Sequence, residues 1–405
     1  MTTKNNIPAG YKDSAVGIIP QEWEVSTLGK LVSITSGESP SLFNLRDNGR
    51  YPYIKVEDMN NCEKYQSFSR EYTDDERCAI PKGSIIFPKR GAAIINNKVR
   101  IAECDLYMDS NMMAITPNKH ICGNYLYFKI TDEKLFRIAD TSTIPQINNK
   151  HIIPYKICLP PMEEQRKIAE ILGVWDEAIE RQSRLIEKLE LRKRALMQCL
   201  LTGHTRLPGF TTPWQKVKLG EICKEFVLRN TDDNNYIVLS CTKYNGLVSS
   251  LDYFGKQIFS DNLRTYKVVP KYHFAYATNH IEEGSIGYQG SYDYALISPM
   301  YTVFKADDTK VDNYFLYTLL KTPLMIYNYQ SRIEGSIDRR GGLRWDAFAG
   351  IIIKLPTLPE QKAIAEVLTT ADDEITIHRK KLDALRLQKR GLMQQLLTGK
   401  TRVKI

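Results

Sequence analysis

The side chains in this chain best able to do chemistry with a partner are arginines, lysines and asparagines on glycine-punctuated loops. The stretch PKRGAAIINNKVR carries Lys89, Arg90, Asn96, Asn97, Lys98 and Arg100. Arginine can donate a matched pair of hydrogen bonds to O6 and N7 of guanine, and asparagine pairs with N6 and N7 of adenine, whereas lysine more often meets phosphate. Gly91 would let such a loop approach a phosphate closely. TIPQINNK, residues 143–150, adds Gln146, Asn148 and Asn149, although its place just before a long helix also suits a structural turn. SRIEGSIDRRGGLR carries Arg332, Arg339, Arg340 and Arg344, the densest arginine cluster of the chain. LSCTKYNGL contributes Lys243, Tyr244 and Asn245, and ATNH contributes Asn279 and His280. These residues permit recognition of hydrogen-bonding edges and phosphates. Each stretch also reads as a solvated polar loop.

Bond-making chemistry is not expected. The sequence has no G-x-x-x-x-G-K-[ST] phosphate loop, no G-x-G-x-x-G, no H-E-x-x-H, no G-x-S-x-G and no Asn-Pro-Pro-Tyr/Phe tetrapeptide. Its six histidines show no ligand-like clustering, and its eight cysteines are scattered without a C-x-x-C pair. Such thiols read as reduced residues of a cytosolic protein, with neither a metal site nor a disulfide framework. The acidic pairs Asp74/Asp75, Asp232/Asp233 and Asp307/Asp308 fall in turn-like contexts.

The net charge of +9 is spread along the chain, so charge alone argues only weakly for a polyanionic partner. At 405 residues, with 42% apolar and 25% charged residues, the chain is expected to form two or three globular domains. Its longest uncharged run, residues 294–304, falls far short of the roughly 20 residues of a membrane span. The opening MTTKNNIPAGYKD lacks the apolar core of a secretory signal, and a cytoplasmic location is expected.

The elements that must hold these loops are announced by an internal repeat. Residues 159–207 and 355–403 align without a gap at an offset of 196 positions. Each copy follows a proline-bearing strand-like stretch, stays almost free of Gly and Pro, and closes on LLTG, where glycine suits a helix C-cap. A 4–3 spacing runs through Ile168, Leu172, Trp175, Ile179, Gln182, Ile186, Leu189, Lys193, Leu196 and Leu200. The second copy repeats it through Ile364, Leu368, Ala371, Ile375, His378, Leu382, Leu385, Lys389, Leu392 and Leu396. The polar interruptions coincide, as one coiled-coil seam used twice predicts. An antiparallel pair brings the two ends of the intervening segment together, whereas a parallel pair would stretch it over the whole helix length. Arg181, Arg184, Glu187, Arg379 and Lys380 fall on faces away from the seam. The segments before each helix echo one another in WEVSTLGKL and WQKVKLGEI, in IPKGSIIF and VPKYHFAYA, and in SNMMAITP and SPMYTVF. Strand-like runs with helical patterns at residues 124–139 and 312–330 make each a mixed α/β (α+β) domain of about 150 residues.

This organisation resembles the specificity subunit of type I restriction–modification systems. The resemblance rests on Leu159-Pro160-Pro161 with Glu164-Gln165 and Ile168-Ala169, on Leu355-Pro356 with Glu360-Gln361 and Ile364-Ala365, and on the two LLTG-x-TR ends. It spans nearly the whole chain, and the twice-repeated helix motif is its most specific part.

The resemblance implies two pseudo-twofold-related target-recognition domains, residues 1–160 and 204–356, separated by two long antiparallel coiled-coil helices. The helices would occupy 161–203 and 357–405, the latter with a basic tail. It further implies a chain that is not itself an enzyme, each domain reading half of a bipartite, asymmetric site in double-stranded DNA. Two modification (methyltransferase) subunits would bring S-adenosylmethionine, and restriction subunits would bring ATP, Mg and the nuclease. A stand-alone DNA methyltransferase or nuclease, or a coiled-coil scaffold without DNA, are the competing expectations.

Overall fold

In the computed structural model, which describes residues 7–142, 144–333 and 342–404, the chain forms two compact units. One holds the chain up to Ser183 together with the chain from Lys380 onward, and the other holds Arg184–Arg379. Each unit therefore owns one globular domain, half of the first long helix and half of the second.

The long helices are Met162–Leu200 and Leu358–Leu396, 39 residues each, or about 58 Å at ~1.5 Å per residue. The predicted seam is the face they bury. Ile168, Leu172, Ile186, Leu189, Leu200, Ile364, Leu368, Ala371, Ile375, Leu382 and Leu396 are buried, and Trp175, Ile179, Leu196, Leu385 and Leu392 are half-buried. Most positions between them are exposed. In the first unit the start of the first helix (Ile168, Leu172) shares a core with the end of the second (Met393, Leu396). In the second unit the end of the first (Leu200, Leu201) meets the start of the second (Ile364, Leu368). Within each unit the helices thus run antiparallel.

Two of the polar interruptions are ion pairs. Lys389 bonds Asp176 in the first unit, and Lys193 bonds Asp372 in the second. These are the same two repeat positions with the partners exchanged. Each aspartate also ties its globular domain to the seam. Asp176 accepts from Lys64 Nζ at 3.1 Å, and Asp372 accepts from the Tyr314 hydroxyl.

In the first domain a five-stranded sheet runs in the order Val32–Ser36, Met112–Pro117, Ile85–Pro88, Arg100–Ala102, Tyr65–Gln66, beside a three-stranded sheet centred on Tyr51–Ile54. The second domain has two four-stranded sheets, centred on Tyr301–Ala306 with His273–Ala277 and on Val238–Thr242 with Tyr294–Ile297. The strand that leads into each long helix pairs with the Trp-bearing stretch, Lys156–Leu159 with Glu24–Thr27 and Ile352–Leu355 with Gln215–Lys218.

Helix and domain are joined by the repeated Glu-Gln pair and by the arginine of LLTG-x-TR. Glu164 is fully buried and accepts from Trp23 Nε1 at 2.9 Å and from Arg402 Nε at 2.7 Å. Glu360, also fully buried, accepts from Arg206 Nη2 at 2.7 Å. Gln165 accepts from the amide of Cys122 at 2.8 Å and donates to Pro160 O at 2.9 Å. Gln361 does the same with the Asp312 amide at 2.9 Å and Pro356 O at 2.8 Å. Each glutamine thereby occupies an amide at the start of a domain helix, where side-chain acceptors are needed. Gly399 sits at φ +73 with Pro20 2.5 Å from where a Cβ would lie, and Gly203 at φ +70 lies 3.3 Å from the Trp214 ring. Only glycine meets both demands. Arg402, expected to belong to a free basic tail, is thus spent inside the fold.

A buried carboxylate stripped of its cation is costly. Arg402→Ala should lower unfolding stability by about 2–4 kcal/mol. Arg181→Ala, which removes only the exposed pair with Glu177, should cost under ~1 kcal/mol. Chemical denaturation of the two variants decides, and equal losses would refute the clamp.

Candidate nucleic-acid interface

The first domain brings two of the sequence-predicted stretches together. The strand Ile85–Pro88 ends in Lys89-Arg90-Gly91, and this loop pairs with residues 145–147. The Gly91 amide donates to Pro145 O at 2.9 Å, the Ile147 amide donates to Lys89 O at 2.9 Å, and Arg90 bridges Gln146. Asp140 and Gln146 exchange backbone hydrogen bonds of 2.9 and 3.0 Å, which closes the second loop on itself. These bonds leave Arg90 exposed and Lys89 and Gln146 half-exposed. Gly91 takes φ +81 with open space where a Cβ would be. Among the described residues neither Lys89 nor Arg90 forms an ion pair. Burial, and then the neighbouring Arg90 charge, lowers the Lys89 pKa. Two cations so close together without an ion-pair partner favour an anion beside them, with Asp109 the nearby carboxylate that offsets the Lys89 charge.

Three other residues of these stretches hold the fold. Asn97, at φ +50, accepts from the Leu135 amide at 2.9 Å and donates to Thr131 O at 2.9 Å. Arg100 donates to the carbonyls of Cys62, Val99 and Met59 at 2.8–2.9 Å. Asn148 is the N-cap of the turn Asn149–Ile152, its amide donating to His151 Nδ1 at 3.1 Å. For Asn97 and Arg100 the reading as base contacts is corrected to structural roles, because their side-chain polar atoms already bond within the fold. Lys98 donates to Asn60 Oδ1 at 2.6 Å, while Asn96 and Asn149 remain exposed.

The second domain builds a counterpart from different residues. His273–Ala277 ends in Thr278-Asn279-His280, and the Leu343 amide donates to Thr278 O at 3.0 Å. Asn279 and Arg344 are exposed, the latter at the N-cap of Trp345–Ala349. Arg332 is half-buried and bonded to Asn328 O at 3.2 Å. Arg339 and Arg340 lie outside the described residues. The hairpin tip Lys243-Tyr244-Asn245 joins the same edge through Lys321, whose Nζ donates to Lys243 O at 2.6 Å and Gly284 O at 2.8 Å. Nothing in the sequence singled out Lys321, since a lysine that bonds two remote carbonyls leaves no local pattern. His280, Glu282 and Glu283 bring possible ligand atoms within 4.8 Å of one another on an exposed turn. The two carboxylates make this turn a poor neighbour for phosphate and a suitable acceptor for a cytosine amino group.

Of the residues on faces away from the seam, Arg379 is paired with Glu190 and Arg181 with Glu177. No helix among the described residues is long and apolar enough to cross a membrane.

Comparison with known proteins agrees with this organisation. A family model described as the type I restriction modification DNA specificity domain matches residues 20–191 and again 212–387. The putative type I restriction enzyme MjaX specificity subunit of Methanocaldococcus jannaschii is 27% identical, the alignment covering 97% of each chain. The MjaVIII specificity subunit of the same organism is 25% identical, over 95% of this chain and 94% of its own. Among solved structures, the type I restriction-modification S subunit from M. genitalium aligns over 100% of both chains at 16% identity with a TM-score of 0.55. A chain from a study of complex assembly in the type I R-M system aligns over 95% of this chain and 99% of its own at 15% identity, with a TM-score of 0.60. With the specificity domain matched twice, once before and along each long helix, the chain belongs to the type I restriction–modification DNA specificity family.

Proposed function

We propose that this chain is the DNA-reading, non-catalytic subunit of a type I restriction–modification assembly and works in the cytoplasm. Each globular domain reads one half of a bipartite, asymmetric site, and the helices set the distance between the halves. The observation that carries this reading is the repeated edge. In both domains the loop after a central strand is tied by backbone hydrogen bonding to the segment that precedes the strand into the long helix, through two bonds in the first domain and one in the second among the described residues. The scaffold is the same and the side chains differ: Lys89, Arg90 and Gln146 in one, Lys243, Tyr244, Asn279 and Arg344 in the other. A matched scaffold with unlike tips suits two unlike half-sites.

Catalysis is then supplied by partners, with S-adenosylmethionine on two modification subunits and ATP and Mg on restriction subunits. Two identical docking places are supported by a stripe on the exposed side of each helix. Glu187, Leu191, Arg194 and Gln198 recur 196 positions later as Asp383, Leu387, Arg390 and Gln394, all of them exposed. Leu191 is 61% and Leu387 66% exposed, so neither is kept apolar by the core. Other exposed pairs have diverged, such as Lys188 with Ala384 and Val174 with Thr370.

In cells carrying this chain and its partner subunits, Arg90→Ala or Gln146→Ala should relax the methylation motif in one half only. Asn279→Ala should relax the other half, as read by methylome sequencing. Loss spread evenly over both halves would contradict the assignment. Four residues inserted at matching positions of both helices add roughly 6 Å. The gap between half-sites should then widen by about one or two base pairs at ~3.4 Å each, with the halves unchanged. An unchanged gap would defeat the ruler. Leu191→Glu or Leu387→Glu alone should leave one modification subunit per chain, and the double variant none, by native mass spectrometry.

A further inference from the structure

Tyr244 has 80% of its surface exposed, more than any other large apolar or aromatic side chain among the described residues. Many exposed rings in this domain rest on a neighbour, as Tyr294 does on Tyr236 and Tyr272 on Tyr288. Among the described residues the Tyr244 ring stacks on no other ring, and the Lys243 ammonium lies 5.4 Å from its centroid. The backbone beneath it is nonetheless fixed on every side. The strands Val238–Thr242 and Gly246–Ser249 pair in register, Thr242 facing Gly246. The Asn245 amide donates to Thr242 Oγ1 at 3.0 Å, and Lys321 Nζ pins Lys243 O to the turn at Gly284. The hydroxyl of Tyr317 packs beneath Gly246, 2.7 Å from where a Cβ would lie.

A pinned backbone under a bare ring is a prepared contact, because little further ordering is needed when the ring is buried. The charge around the tip restricts what that contact is. The Lys321 bridge holds the tip beside Glu282 and Glu283, whose carboxylates repel a phosphate strand. Lys243 and Asn245, one on each side of the ring, offer a cation and an amide of base-reading type.

We propose that Tyr244 is a stacking wedge that enters a base step of the half-site read by the second domain, and that Lys321 is the residue that positions it. This rests on the DNA-reading function above. Base–aromatic stacking is a strong contact that every base can make, and wedges of this kind unstack a step and kink the duplex. The step entered should be a deformable pyrimidine–purine step.

The test uses the full chain assembled with its modification subunits, on duplexes bearing the methylated motif mapped in cells. 2-Aminopurine is placed at successive positions of the second half-site. The unaltered complex should brighten the probe at one position. Tyr244→Ala should abolish that signal and weaken binding about tenfold, while Tyr244→Phe and Tyr244→Trp keep both. Lys321→Met should reduce the signal with the first half-site still read, and Lys321→Arg should restore it. A dark probe at every position, or a Tyr244→Ala complex that brightens as before, overturns the wedge while sequence-specific binding stands. Loss of modification-subunit association in Tyr244→Ala overturns it in favour of a protein contact. Absence of any sequence preference in the unaltered complex sinks the DNA-reading function and the wedge with it.

Discussion

Two fully buried carboxylates set the terms for the rest of this molecule. Glu164 and Glu360 stand at the starts of the long helices, and each is neutralised by an arginine far away in the chain, Arg402 and Arg206. A buried carboxylate left unpaired costs several kcal/mol, so neither globular domain is complete until the far end of the opposite helix has arrived. The glutamine beside each glutamate extends the same junction into the domain by taking an amide at the start of a domain helix. The pairs join residues 238 and 154 positions apart, so each closes a long loop of chain.

The second consequence of the duplication is economy of construction. Asp176 and Asp372 occupy equivalent seam positions, and each receives the lysine of the other repeat together with a group from its own domain, Lys64 or Tyr314. A single set of solutions thus serves two junctions. Where the two domains part company is at the loop tips, which touch neither core nor seam. There the first domain presents Lys89, Arg90 and Gln146, and the second adds an aromatic ring and carboxylates to its own cations, Lys243 and Arg344.

The recognition edge is stiff because polar side chains that look like readers in the sequence are used to hold it. Asn97 accommodates a left-handed backbone and closes two chain ends, and Arg100 ties down the loop around Met59 and Cys62. Lys321 does for the second domain what Arg100 does for the first, with an unrelated residue type and place in the chain. Fixing the loops in advance removes the entropy that binding would otherwise have to overcome.

The sequence by itself determined the repeat, the two helices, their seam and the mixed α/β character of what lies before each. Those features rest on periodicity and on local turn and cap chemistry, which need only near neighbours in the chain. It also named Lys89, Arg90 and Gln146 among its candidate contacts, and the structure leaves them exposed or half-exposed. Only the tertiary structure decided that Asn97 and Arg100 are already satisfied, that Arg402 and Arg379 are paired, and that residues as distant as Lys321 and Lys243 share an edge. Whether a polar side chain is spent or available depends on carbonyls and carboxylates brought to it from tens or hundreds of residues away. No pattern of spacing records that.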